Sequence, residues 1–265
     1  MLIKFFRFIL VTLLLILILH STILFSKNND FEWKIGEELT YKVKWAFIRL
    51  GTVKVQVCDT LFINNTFVYH VKLFVDSNPL IFFIDMHNVY ESYISKDFRL
   101  QRFVSEEKID GITYLAEYKF NYADSLIHTT MTDMENSDIT IKRIDPLNEV
   151  LLDGTSMIFY ARANSIHSRI DTLTSFFAAK RGKVTINFSH KKNKVNIDAM
   201  QTPLKSYYVD GIVRMKGIAG LTGPYKGWFA ADSQRPPLKA ELKVFIGSVK
   251  IQLEKWIGWE PRVVN

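Results

Sequence analysis

Cysteine is nearly missing from this chain: Cys58 is the one thiol in 265 residues. No intrachain disulfide can form, so a domain built from this sequence must stand on its buried core. A chain of this length can do so, because a single domain of this size buries roughly 70 to 75% of its unfolded surface. Cys58 closes an alternating run (Val53, Val55, Val57) and has no histidine near it in sequence, so it reads as an inert strand cysteine.

Signatures of common chemistries are missing too. Gly217, Gly220, Gly223 and Gly227 crowd together around Pro224, yet they lack the G-K-[ST] ending of a phosphate loop and the G-x-G opening of a dinucleotide site. They read as a wide turn or a bulge at a barrel corner. There is no G-x-S-x-G, and Ser156 within Asp153-Gly154-Thr155-Ser156 has no strained elbow or nearby base. His70, His87, His128, His167 and His190 are scattered, and Asp85 with His87 offers two metal ligands without a third. No metal, cofactor or catalytic group is expected. Asp232 and Arg235, followed by Pro236 and Pro237, read as a tight turn with a local ion pair.

Long apolar runs are confined to the start. Lys4 and Arg7 bracket the entry to an apolar run over residues 8–19, broken only by Thr12, and His20, Ser21 and Thr22 interrupt it before Ile23, Leu24 and Phe25. A basic start, short apolar middle and polar exit make residues 1–26 a secretory signal peptide, with an uncleaved anchor in the inner membrane through residues 5–25 as the alternative. The exit has no A-x-A, and no cysteine stands there to accept a lipoprotein anchor. Residues 27–265 are then one periplasmic or exported domain.

Charge is only mildly unbalanced, with 34 basic and 27 acidic residues. The densest basic stretches, 180–183 and 191–194, have no interleaved aromatic platform, which excludes a single-stranded nucleic-acid site and suits a solvated hairpin tip. Were that tip functional, anionic lipid headgroups would be its fitting partner.

What the sequence has in abundance is alternation. Leu39, Tyr41, Val43, Trp45 and Phe47 are apolar while Thr40, Lys42 and Lys44 intervene, so one strand face is apolar and the other charged. A one-residue slip would exchange them, which sets the register. Similar runs cover 51–61, 66–76, 89–95, 98–109, 112–122, 125–132, 175–180, 183–190, 194–200, 205–216, 227–231, 238–246 and 248–256. Asn64-Asn65 and Asp110-Gly111 mark hairpins, since those residues tolerate positive φ. Two short helices interrupt the series: one after Asn78-Pro79 through Phe82, Phe83 and Met86, and one capped by Asp153 that carries Met157, Ile158, Tyr160, Ala161 and Arg162. The fold class is mainly β, one large antiparallel curled sheet or barrel with one or two short helices.

Aromatics make up 14% of the chain. More of them than a core needs would line a cavity, because a barrel of this strand count encloses space. The candidate ligand-binding residues are Tyr41, Trp45, Phe82, Phe83, Tyr90, Tyr160 and Trp228.

The opening Ile35-Gly36-Glu37-Glu38-Leu39-Thr40-Tyr41 with Trp45 and Gly51 resembles the start of a bacterial exported family, domain-of-unknown-function family 3108. Tyr90-Glu91-Ser92, Asp153-Gly154-Thr155-Ser156 with Tyr160-Ala161-Arg162, Lys226-Gly227-Trp228-Phe229 with Asp232, and Gly247-Ser248-Val249 resemble its later blocks in order. The resemblance implies an envelope protein of antiparallel β fold and supplies no catalytic residue.

Three functions follow as expectations. The first is a non-enzymatic binding or carrier domain for a lipid-like or other hydrophobic small molecule. The second is an envelope assembly protein that meets a protein partner through a sheet edge or the basic hairpin. The third is an enzyme, for which Asp153, Tyr160 and Arg162 would have to converge on a pocket.

Overall fold

The computed structural model describes residues 31–81, 86–109, 112–138, 140–177, 179–215, 222–244 and 247–262. Both the leader and Phe82 and Phe83 lie outside them, as does the Asp110-Gly111 turn. Among the described residues fifteen strands form one sheet. They are β1 (Glu38–Trp45), β2 (Ile48–Ile63), β3 (Thr66–Ser77), β4 (His87–Ser95), β5 (Leu100–Ile109), β6 (Ile112–Asn121), β7 (Leu126–Asp133), β8 (Thr140–Pro146), β9 (Leu151–Leu152), β10 (Ser168–Phe177), β11 (Lys180–Val195), β12 (Leu204–Val213), β13 (Gly223–Ala230), β14 (Pro237–Lys243) and β15 (Ser248–Ile257). The order is β8 to β1 in reverse sequence, then β15 down to β9. β1 thus pairs with the last strand, and every neighbouring pair is antiparallel except β9 with β10.

The sheet curls until its ends meet in the core but do not pair. Phe176 on β10 packs edge-on against Tyr118 and Phe120 of β6, and Phe177 against Tyr90 of β4. β8 and β9 remain the two edges, and the Arg181 guanidinium of β11 donates to the Pro146 carbonyl at the end of β8.

Alternation builds the inside as expected: Leu39, Tyr41, Val55, Val57, Val71 and Leu73 are buried on successive strands. Asn64 and Asn65 take φ of 47° and 61° in the β2–β3 hairpin, the pair of positive values a two-residue turn needs. Several expectations are corrected. The stretch read as strand 183–190 and the first two residues of the one read as 194–200 belong to one strand, β11, kinked between Phe188 and Lys192, while residues 196–200 lie outside any strand. Gly223 and Pro224 open β13 instead of forming a turn. Residues 175–177 of the expected strand 175–180 end a longer strand, β10, that begins at Ser168, and Lys180 opens β11. β8 was not legible, because Thr-Ile-Lys-Arg-Ile-Asp-Pro is exposed along nearly its whole length and shows no one-sided pattern.

On the reverse face Lys42 is only 8% exposed. Its ammonium donates to Asp198 at 2.6 Å, and Lys44 stands 3.7 Å from the same carboxylate, so the chain after β11 covers this part of the sheet.

One helix, α1 (Gly154–Asn164), lies against the inner face. Asp153 caps it: its carboxylate accepts from the Ser156 amide at 2.8 Å, and Ser156 Oγ accepts from the Asp153 amide at 2.8 Å. Ser92 of β4 donates to the other carboxylate oxygen of Asp153, fixing the helix start to the sheet. α1 divides two apolar clusters. Phe159 and Ala163 join the main core, while Ala161 and Met157 face Val184, Ile186, Phe188, Val209 and Phe229. Trp33 stacks between Tyr69 and Phe159, with ring centroids 4.1 and 4.2 Å away.

Candidate functional site

Between α1 and the inner face of β1, β2 and β11–β15 lies a cavity of about 330 Å³. This is the lower end of the ~300–1,000 Å³ range of small-molecule sites. Its walls follow from alternation: Leu39 and Tyr41 of β1, Val184 and Ile186 of β11, and Gly227 and Phe229 of β13 sit two residues apart and share one face. Ala240 and Ile251 pair across β14 and β15 and continue it.

The cavity has a closed end and an open one. Leu39, Tyr41, Ala161, Arg162 and Phe229 are buried at one end. Towards the other, Met157, Ile158, Val213, Tyr225 and Leu242 are half-buried, and Lys226 is exposed. Tyr225 crosses Gly211 and donates to the Thr185 carbonyl at 3.2 Å. A Cβ on Gly211 would stand 2.8 Å from the Tyr225 hydroxyl and 1.9 Å from the Thr185 oxygen, so glycine is required there.

The closed end holds the polar groups. Arg162 and Glu37, each 1% exposed, meet through two hydrogen bonds of 2.6 and 2.8 Å. Arg162 also donates to the Gln234 carbonyl at 2.9 Å, and its guanidinium lies over the Phe159 and Phe31 rings at 4.8 and 5.3 Å. The pair is therefore fully engaged. Tyr41 is not: its hydroxyl is buried and has no hydrogen-bond partner among the described residues. Burial pushes its pKa far up, Arg162 pulls it back and Glu37 raises it further. At any ordinary pH it is a neutral donor.

Of the residues singled out from sequence, Tyr41 lines this cavity. Trp45 lies on the same face at the far end of β1, opposite Val249. Trp228 sits on the reverse of β13, edge-on to Tyr208 and beneath the Lys239 ammonium at 5.2 Å. Tyr90 stacks on Phe103 in the core, away from the cavity. Tyr160 donates to Asp171 at 2.7 Å and borders a separate polar cleft with Glu149, Thr174 and Lys183. In that cleft the Thr174 hydroxyl is held by Lys183 at 2.6 Å and Glu149 at 2.5 Å. Asp153, Tyr160 and Arg162 point to Ser92, Asp171 and Glu37, so they do not converge.

Sequence reasoning missed Glu37 and the aliphatic wall. Glu37 stands beside the first strand in an ordinary E-E pair, and only folding brings Arg162 to it. Asp232 does more than mark a turn: it accepts from the Arg235 amide at 2.7 Å and from Trp259 Nε1 at 2.8 Å. Cys58 occupies the irregularity between Val57 and Asp59 in β2, and burial raises its thiol pKa. Among the described residues no three acidic, histidine or cysteine side chains are grouped to hold a metal, and no helix is long and apolar enough to cross a membrane.

Residues 40–254 match a family described as "Protein of unknown function (DUF3108)". No curated protein matches the chain by sequence. Among solved structures, a β-barrel-like protein of DUF1849 from Brucella abortus is similar, at 12% identity and a TM-score of 0.49, covering 84% of this chain and 97% of that one. A candidate exported protein with a YmcC-like fold from Bacteroides fragilis follows at 8% identity and a TM-score of 0.37, covering 86% and 98%. A candidate lipoprotein from Parabacteroides distasonis gives 10% and 0.34 over 86% and 98%.

Proposed function

We infer that this chain, which belongs to the DUF3108 family, is an exported, non-enzymatic binding or carrier domain for a hydrophobic small molecule or lipid-like chain. The observation that carries the reading is the apolar cavity between α1 and the sheet. An apolar wall left facing water forgoes the roughly 25 cal/mol per Å² that burial gives, and an apolar occupant restores it. Export rests on the leader at residues 1–26.

The test uses delipidated protein and N-phenylnaphthylamine, an uncharged dye that brightens in apolar surroundings. Saturable uptake at micromolar concentration is expected; Ala240→Phe should abolish it by filling the space, and Gly154→Leu should weaken it at the rim. Gly154 is exposed at the rim and has nothing within 4 Å of where a Cβ would stand, so a leucine there narrows the mouth without displacing the fold. No uptake by folded protein overturns the reading.

A second reading rests on β8. This edge strand pairs only with β7 among the described residues and exposes Ile141 and Ile144, features suited to strand addition by an envelope protein partner. Site-specific crosslinks from position 141 in intact cells that recover no protein count against it.

A further inference from the structure

We propose that the open end of the cavity docks on an anionic lipid surface, with Phe47 and Leu80 inserted among the headgroups. This goes beyond the binding reading above: it names the surface across which a hydrophobic ligand enters and leaves.

Register builds the rim. Leu242 at the mouth pairs with Val249, and Val249 with Trp45, so the cavity wall runs across β14 and β15 to the end of β1. Phe47 stands two residues further on, in the turn to β2. Val53 carries the apolar lining in the same direction, since it also borders a hollow of about 190 Å³ with Val43, Val75, Met86 and Val249.

Phe47 and Leu80 are 90% and 86% exposed, more than any other large apolar side chain among the described residues. The backbone holds them there. Asn78 donates its amide to the Leu50 carbonyl at 2.8 Å and its side-chain nitrogen to the Arg49 carbonyl at 2.9 Å, while its side-chain oxygen accepts from the Leu80 amide at 3.1 Å. The Leu80 turn is thus fastened to the strand that Phe47 leads into. Large apolar side chains fixed in water beside an apolar opening mark an interaction surface.

Charge selects anionic lipid. Lys226 of β13, Lys243 of β14 and Lys250 of β15 lie within three residues of the strand ends at this rim, are exposed and form no ion pair among the described residues. Lys226 and Lys250 flank Glu241 in register, but that carboxylate is held by Lys239 at 2.9 Å. Asp210, on the other side of Lys226, accepts from the Asn187 side chain at 3.2 Å. The lysines are therefore left to meet phosphates while the apolar tips enter the boundary with the acyl chains. Trp45 adds a ring of the kind that settles at headgroup level.

The experiment measures co-sedimentation of residues 31–265 with phosphatidylcholine vesicles made with and without phosphatidylglycerol. These residues form one compact unit with its own core, and the leader is left off because it would enter lipid by itself. Binding to the phosphatidylglycerol vesicles is expected, weakened about fivefold by each of Lys243→Gln and Lys250→Gln and more than tenfold by Phe47→Ser with Leu80→Ser. All four side chains are exposed, and thermal unfolding checks that the variants keep the fold. Phe62→Ser, at an exposed site in the β2–β3 hairpin of the opposite end, should change nothing. Failure to sediment, equal binding to both kinds of vesicle, or a loss in Phe62→Ser but not in the Phe47 and Leu80 variant overturns the docking inference. A dimer by light scattering that only the Phe47 and Leu80 variant breaks also overturns it, by making the rim a contact between copies. Ala240→Phe, which fills the cavity, should still bind vesicles. Dye uptake without vesicle binding overturns docking and leaves the cavity reading standing; vesicle binding without dye uptake supports docking and overturns the cavity reading alone.

Discussion

Glu37 and Arg162 stand 125 residues apart in sequence and face each other through two hydrogen bonds in a fully buried site. The pair ties the chain before β1 to the last turn of α1, so it holds the helix over the cavity. Taking two ions out of water roughly cancels their attraction, but removing one partner leaves an uncompensated buried charge at a cost of about 3–5 kcal/mol. Arg162→Met and Glu37→Gln should each lower stability by that amount in urea unfolding. The double variant should lose much less than their sum, because no charge is stranded.

This pair also marks what the sequence could not reveal. Arg162 was legible as a cation near a helix end, where it would suit the dipole, and its partner was not, since nothing local joins positions 37 and 162. The Asp153 cap, the Asn64-Asn65 hairpin and the faces of β1, β14 and β15 were legible because each depends on residues a few positions apart. β8 escaped because an exposed edge strand has no apolar face to alternate. Of the aromatics weighted as cavity lining, Tyr90 stacks in the core and Trp228 lies on the reverse face, whereas aliphatic side chains dominate the wall. Aromatic abundance alone does not say which rings meet each other and which meet empty space.

Asp153 serves helix and sheet at once. Losing its carboxylate removes a cap, worth about 1 kcal/mol, and strands the buried Ser92 hydroxyl for about 1–3 kcal/mol more. Asp153→Ala should therefore destabilise by roughly 2–4 kcal/mol. Hydrogen exchange should show the loss of protection concentrated in 154–164.

The two cavity phenols predict opposite responses in the empty protein. Tyr41→Phe deletes a donor that has no partner, so stability should rise by about 1 kcal/mol. Tyr225→Phe deletes the donor to Thr185 and should lower it by about 1 kcal/mol. Equal effects by thermal unfolding would mean that the Tyr41 hydroxyl is bonded in solution.

Glu107 gives the fold a pH signature of its own. Burial raises its carboxyl pKa above the ordinary 4.5, and hydrogen bonds from Tyr118 at 2.8 Å and Ser105 at 3.0 Å pull it back only in part. The native state then keeps a proton that the unfolded chain has already released. Stability from this group is present below pH 4.5 and is lost as pH rises through the raised pKa, after which the curve levels. Glu254 and Asp198 act in the opposite sense: hydrogen bonds from Arg49 and Lys42 hold them below their ordinary values, so their contribution is gained as pH climbs towards 4.5 and 3.8. The windows of these three carboxylates do not overlap, so the share of Glu107 is read above pH 4.5 by comparing parent and variant. Glu107→Gln keeps an acceptor for Tyr118 and carries no charge, so urea-unfolding free energies should lose their decline above pH 4.5 and match or exceed the parent at pH 7. An unchanged pH slope in that variant would show that another group titrates there.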